Sequence, residues 1–156
     1  MAIVYRVIDP GNYQEAYTFN LFREYAWRDS SNAYVADSED ERKKKTDALI
    51  ASLSRVDHRY HCLAAFDDEA MVGAISLERM TIDKRPACHI QCLWVHPDHR
   101  GRGMAQKLKE LGEEWARAMG SQFMDSNVRI DNSNMIKLNE QLGYAVVRLN
   151  FRKELG

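Results

Sequence analysis

Three strand-like runs, "YHCLAAF" (Tyr60 to Phe66), "MVGAISLERM" (Met71 to Met80) and "ACHIQCLWV" (Ala87 to Val95), are followed almost at once by a helix that opens on glycines. The turn Asp67-Asp68-Glu69 between the first two runs makes them an antiparallel hairpin, and the third continues the meander. From about Gly103 to Met119, the residues Met104, Leu108, Leu111, Trp115 and Met119 fall on one helical stripe, and Gly120 ends it. A further strand, "QFMDSNV", follows. Meandering strands joined to a β-α-β crossover imply a mixed sheet with helices on both faces, an α/β architecture.

The flanking segments fit around that frame. Ile3 to Ile8 reads as a strand ended by Asp9-Pro10-Gly11, and Tyr13 to Trp27 as a helix with Ala16, Phe19, Leu21, Phe22, Tyr25 and Ala26 at helical spacing. Ser38 is placed to cap a second helix, with Glu39, Asp40 and Glu41 in its first turn and Leu49, Ile50 and Leu53 on its inner side. Ser133 to Leu142 reads as a short helix ending at Gly143, and "YAVVRLNF", Tyr144 to Phe151, as a last strand. With no repeat or linker, residues 1–156 are expected to form a single domain, burying roughly two thirds of the unfolded surface.

The net charge of −1 argues against a nucleic-acid binder, which usually carries a basic face. "ERKKK" lies beside "DSED" on a helix, where pairs such as Glu39–Lys43 and Asp40–Lys44 neutralise it. Three cysteines, Cys62, Cys88 and Cys92, cannot all pair, which points to a reducing compartment. No segment approaches the ~20 apolar residues of a membrane span, and the start of the sequence lacks a signal-peptide core. The expectation is a cytoplasmic protein without membrane contact; assembly as a homodimer is left open.

The junction "VHPDHRGRGMAQ" carries the chemistry. A strand, a short loop and a helix beginning at glycines present backbone N–H groups with no intrahelical partner. Together with the helix dipole they suit phosphate, Gly101 and Gly103 allow close approach, and Arg100 and Arg102 add charge. A glycine turn with solvated arginines is the ordinary alternative. No Gly-Lys pair exists for a nucleotide P-loop, and Gln106 stands where a dinucleotide fingerprint needs Gly or Ala.

The string Arg100-Gly101-Arg102-Gly103-Met104-Ala105 behind "LWVHP" resembles the acetyl-CoA-binding motif of the GNAT N-acetyltransferase superfamily. "DNSNMIKLNEQLGY" is similar to the family's second block, an Asn, a helix, then Leu-Gly-aromatic. The resemblance covers about Tyr60 to Tyr144 and implies a GNAT-like fold that moves acetyl from acetyl-CoA to a primary amine. The acceptor is then a small molecule or a peptide, attacking directly in a ternary complex. It further implies that the CoA pyrophosphate sits on Arg100, Gly101, Arg102, Gly103, Met104 and Ala105, with pantetheine beside Leu93, Trp94 and Val95. Asn132 and Asn134 are implied as cofactor contacts or, equally, as cap and turn residues.

For the base, the family place on the strand before the loop holds His89, with Glu78 and Asp125 on flanking strands as the other candidates. An imidazole of ordinary pKa, near ~6.5, accepts a proton at pH 7; the alternative is a sheet histidine bonded to a neighbour. Asn139 stands where many members have a tyrosine that protonates the departing thiolate, and an amide offers only a hydrogen bond. That departure gives weight to a rival, a non-catalytic acyl-CoA-binding sensor of the same fold. A Rossmann-like nucleotide binder is a second rival.

No metal is expected, although Cys88, His89, Cys92, His96 and His99 cluster in sequence. Cys88 and Cys92 lie about 13 Å apart on a strand at ~3.3 Å per residue, too far for one zinc ion. No cysteine is expected at an acyl-enzyme position. The acidic stretch "RDSSNAYVADSED" leans towards a cationic acceptor, with a solvated loop as the ordinary explanation.

Overall fold

A computed structural model describes residues 2–156. Nine elements follow in chain order: β1 (Ile3–Val7), α1 (Tyr13–Ser30), α2 (Glu39–Leu53), β2 (Tyr60–Asp67), β3 (Ala70–Ile82), β4 (Arg85–Val95), α3 (Met104–Ala118), β5 (Phe123–Ser126) and α4 (Ser133–Gln141). The strands form one sheet in sequence order, antiparallel throughout except for the parallel β4–β5 pair. This is the mixed sheet that the hairpin turns and the α3 crossover specify.

Local chemistry sets the boundaries. Asn12 accepts the Glu15 N–H at the start of α1, while the Glu15 carboxylate pairs with Arg6 at 2.7 Å and ties the helix to β1. Ser38 and Glu41 form a reciprocal capping box on α2. Asp83 and Lys84 join β3 to β4 with φ of +51° and +62°, the left-handed pair that matches strand twist in a two-residue hairpin.

The core lies on both faces of the sheet. Leu63, Ile75, Leu77, Ile90 and Val95 pack under Met104 and Leu108 of α3. On the opposite face Ala64, Phe66, Ala74 and Trp94 meet Phe19, Phe22 and Leu49 of α1 and α2. Phe19 and Leu108 are wholly buried, each contributing about 1.5–3 kcal/mol relative to exposure.

Two features depart from sequence expectation. The register slips in β4: Ser76 pairs with Cys92 but Leu77 with Ile90, leaving Gln91 as an extra residue in a bulge. The slip reverses the alternation, so Cys88 sits in the α3-side core while Cys92 lines a cavity on the α1/α2 side. The strand expected over Tyr144–Phe151 does not join the sheet; residues 144–156 have no ladder partner. Alternation specifies that a segment suits a strand, but not which edge receives it. "QFMDSNV" is likewise shorter, forming β5 only over Phe123–Ser126.

Candidate active site

β4 has two neighbours over only part of its length. Ala87, Cys88, His89 and Ile90 pair with Phe123, Met124, Asp125 and Ser126; β5 then ends, and beyond it β4 continues paired to β3 alone. From Gln91 to Val95 one edge of the backbone therefore faces a gap; the Val95 carbonyl is taken by Arg100 Nε, and the other N–H and C=O groups that point there need partners. The bulge at Gln91 falls where the two strands part.

The open edge leads into the glycine loop. Pro97–His99 make one 3-10 turn, capped by the His96 ring accepting the Asp98 N–H. Gly101 and Gly103 follow at φ +76° and +78°, left-handed values that exclude most side chains. A Cβ built on either meets nothing within 4 Å, so the space over the loop is open. α3 starts from Gly103 without a side-chain cap, leaving its first N–H groups and positive dipole end to face that space.

This arrangement fits coenzyme A. Backbone groups at Gly101, Gly103, Met104 and Ala105 suit a pyrophosphate, and the edge at Leu93, Trp94 and Val95 suits the two pantetheine amides. Met104 offers only its backbone, since its side chain is buried in the core. The arginines are placed differently from expectation. Arg100 turns back, Nε donating to the Val95 carbonyl at 2.8 Å, with its guanidinium 3.6 Å from Asp29 and over the Trp94 ring. Arg102 is exposed and borders a separate cavity of about 320 Å³ beside Tyr5, Asp67 and His99. Asn132 caps α4 by accepting the Met135 N–H, and Asn134 is exposed in the first turn.

The three base candidates share one row of the sheet, since Glu78 lies opposite His89 and His89 opposite Asp125. Asp125 Oδ2 is 2.7 Å from His89 Nδ1, both side chains being about one fifth to one quarter exposed. If Nδ1 carries the proton for this contact, Nε2 keeps its lone pair. Glu78 is otherwise engaged, accepting from the Arg59 guanidinium and, at 3.1 Å, from Gln91 Nε2. Asn139 Oδ1 is buried with no hydrogen-bond partner, an acceptor that a bound donor would satisfy.

A cavity of about 480 Å³ adjoins this row on the α1/α2 side, lined in part by Arg23, Trp27, Tyr60, Ser76, Gln91 and Cys92. Its two carboxylates are paired internally: Glu24 with Arg42 at 3.0 Å and Asp37 with Lys45 at 2.6 Å. The Arg42 hydrogen bond, helped by Tyr34, holds the Glu24 carboxyl below its ordinary range despite burial. Arg23 makes no ion pair among the described residues and faces Cys62 and Cys92. Two cysteines therefore border the cavity. Burial pushes their thiols up to about 12 and about 11, so both are protonated and poor nucleophiles at neutral pH.

The resemblance implies that the acceptor is chosen by about Trp27 to Tyr60 and by the loop around Asp83 to Pro86. Several residues of the first segment, among them Trp27, Asp37, Lys45 and Tyr60, line this cavity. Its polar inner stripe is not marked by the apolar spacing: Asn20 and Glu24, both buried, stand four apart on α1. The acidic stretch is also largely consumed within the molecule. Asp29 accepts from Trp94 Nε1, Asp37 pairs with Lys45, and Glu39 accepts from Tyr17. Among the described residues no group of three His, Cys, Asp or Glu side chains could hold a metal, and no helix is long and apolar enough to cross a membrane.

The sequence matches the profile of the acetyltransferase (GNAT) family across residues 13–144. The chain belongs to that family. A stretch of 54 residues is 33% identical to L-amino acid N-acyltransferase MnaT of Escherichia coli (strain K12), covering 35% of this chain and 31% of that relative's length. An aminoglycoside acetyltransferase, HMB0005, from an uncultured soil metagenomic sample has a similar structure at TM-score 0.75 and 20% identity, with both chains fully covered. Aminoglycoside N-acetyltransferase AAC(6')-Iy, solved in complex with CoA, superposes at TM-score 0.75 and 18% identity over 98% of this chain and 95% of its own. A ribosomal-protein-alanine N-acetyltransferase from Brucella melitensis biovar Abortus 2308 gives 0.69, at 18% identity over 99% and 100%. At these identities the structural likeness establishes the fold.

Proposed function

We propose that this protein transfers acetyl from acetyl-CoA to the primary amine of a small molecule or peptide, by direct attack in a ternary complex. The observation that carries the reading is the half-open β4. Its unpaired edge runs from the His89–Asp125 contact to an uncapped helix start on two left-handed glycines. Bound acetyl-CoA supplies an activated carbonyl and a thiolate that leaves as the N–C bond forms.

The chain supplies the rest. His89 removes one ammonium proton before attack, Asp125 orients its ring, and the nitrogen's second proton leaves with the thiol. Backbone N–H groups of the open edge near Leu93 and Trp94 stabilise charge developing on the carbonyl oxygen. Asn139 offers hydrogen-bonding help in place of an acid. The protonated Cys62 and Cys92 favour direct attack over an acyl-enzyme.

The cavity beside the row holds the acceptor. Its acids are neutralised by Arg42 and Lys45, whereas Arg23 has no counterion among the described residues. That balance suits an amine carrying a carboxylate better than a polycation. L-Amino acids, on which the E. coli relative acts, are therefore the first acceptors to assay, and aminoglycosides the comparison set. Release of free CoA across an amine panel tests the proposal. CoA binding with no release for any amine would favour the sensor reading that Asn139 raises.

A further inference from the structure

The proposed chemistry leaves one buried charged side chain unused. Lys109 on α3 is 1% exposed and makes no hydrogen bond or ion pair among the described residues. A buried ammonium without a counterion is costly to fold around, so its retention points to a ligand or a reaction. Burial pushes it down from 10.5 to about 8, against Glu113 one turn further along α3, which acts the other way. Its companions are polar and equally unserved. Tyr144, whose ring lies 4.8 Å from Nζ, has a buried hydroxyl with no hydrogen-bond partner, and the Asn139 side-chain oxygen is in the same state. The Tyr144 N–H donates to the Asn139 carbonyl at 2.9 Å, which ties the three residues together.

Contacts with the sheet fix where this group stands. Leu108 packs at Gly73, and Gly112 against Ile75 and Leu77. These three β3 residues pair with Val95, Leu93 and Ile90, so Lys109, between Leu108 and Gly112 on the helix, is level with the open half of β4. α3 turns Trp115 towards β2, where it stacks on His61. Lys109 turns the other way, to Tyr144 just past α4, the side from which β5 has dropped out. The helix covers the face that Cys88 enters, and His89, next along the strand, points to the opposite face, that of the α1/α2 cavity.

We propose that Lys109 is the acid of the transfer, protonating the departing thiolate from the α3 face of the sheet while His89 takes a proton on the other. The assignment rests on the acetyl transfer proposed above. As the acceptor nitrogen bonds to the carbonyl carbon, the C–S bond breaks and its electron pair stays on sulfur. Lys109 Nζ gives one proton to that sulfur and is left as a neutral amine. The second proton of the acceptor nitrogen, released through water, restores the ammonium. A lysine tuned close to the ordinary thiol value of about 8.5 is matched to this exchange. Asn139, an amide where the resemblance implies an acid, then has only to hydrogen-bond, because the proton comes from α3.

Ultraviolet absorbance of the thiolate, followed against pH with CoA bound to the full chain, tests this. An ammonium beside the sulfur favours the thiolate, so the bound thiol is expected to titrate about one pH unit or more lower in the parent than in Lys109→Met. The same variant is expected to lose about tenfold or more in kcat with the KM for acetyl-CoA little changed. Lys109→Gln is expected to match it. Far-ultraviolet circular dichroism checks that both variants fold, as removal of an unpaired buried charge should allow. A parent that binds no CoA overturns the transfer reading and this assignment together. CoA bound with the same thiol titration in parent and variants overturns the assignment alone. Either difference without the other does so too: a titration shift at full turnover puts the lysine near the sulfur but outside the reaction, and a slower variant with an unshifted thiol makes its role structural.

Discussion

The two halves of β4 share one backbone and have opposite assignments. From Ala87 to Ile90 the strand is bonded on both sides, and Cys88 and Ile90 are locked into the α3-side core. From Gln91 to Val95 it is bonded on one side, and the other edge faces open space that ends at Gly101 and Gly103. A fully paired strand has little left to offer a ligand; a half-paired one retains donors and acceptors at no further folding cost. The bulge at Gln91 separates the halves and moves Cys92 and Gln91 to the cavity side. Core packing belongs to the closed half, the ligand binding we propose belongs to the open half, and His89 stands at the boundary.

The open half should be removable without the closed half noticing. Acetyl-CoA at a hundredfold excess over its Kd should stabilise the parent by about 2.7 kcal/mol, a rise in Tm of about 5–10 °C at this chain length. Gly103→Asp places a side chain and a negative charge over the helix start. It is expected to abolish that shift while leaving the ligand-free Tm within a few degrees of the parent's. Equal ligand shifts in parent and variant would break the assignment of the loop.

At the boundary, His89→Ala should lower kcat/KM on the order of 10²-fold or more with CoA affinity nearly unchanged. Asp125→Asn should cost less, because it disturbs the ring's orientation and not its lone pair. A loss below about threefold in His89→Ala would move the role to a water chain or to Glu78, whose ties to Arg59 and Gln91 would then have to break.

Much of this frame is legible in sequence. The turns at Asp68 and Asp83–Lys84, the Ser38–Glu41 box and the α3 stripe each have a local cause. The glycine loop is legible for the same reason, since Gly101 and Gly103 announce backbone geometry in their identity. The other half of the site depends on register and long-range contact. Nothing in "CHIQCLW" marks Gln91 as a bulge, and nothing near Arg100 says that its side chain turns back to Val95. The Glu24–Arg42 pair joins residues 18 apart on two helices, so the cavity emerges only when α1 and α2 pack. Likewise the pattern of "YAVVRLNF" states a strand without naming its partner.

A smaller effect is expected where hydrogen bonding replaces proton donation. Asn139→Ala should raise the barrier by about 1–2 kcal/mol, as for loss of a neutral hydrogen bond, with a folded state no weaker, because the buried, unpartnered Oδ1 is removed. Steady-state rates and Tm measured together check both parts. Complete loss of turnover with CoA affinity intact would mean that Asn139 positions the acceptor or thioester, and the division between β4's halves would then need a third participant.

The smallest effect isolates the closed half. His61 lies opposite Leu77, which lies opposite Ile90, and its ring stacks on Trp115 of α3 at 4.3 Å between centroids. Burial lowers its pKa from the ordinary 6.5 to about 4, so the folded protein holds the neutral ring where the unfolded chain binds a proton. Its contribution is therefore complete above pH 6.5 and is lost as the pH falls from there through 4. His61→Phe keeps the stack and cannot be protonated. Relative to the parent, the variant should gain stability progressively between pH 6.5 and 4, by a few °C in Tm because the ring is only partly buried. The CoA-induced shift at pH 7 should be the same in both. Parallel acid-side decline in the two proteins would show that another group carries the titration, and a changed CoA shift would show that the closed half of the sheet is not independent of the open one.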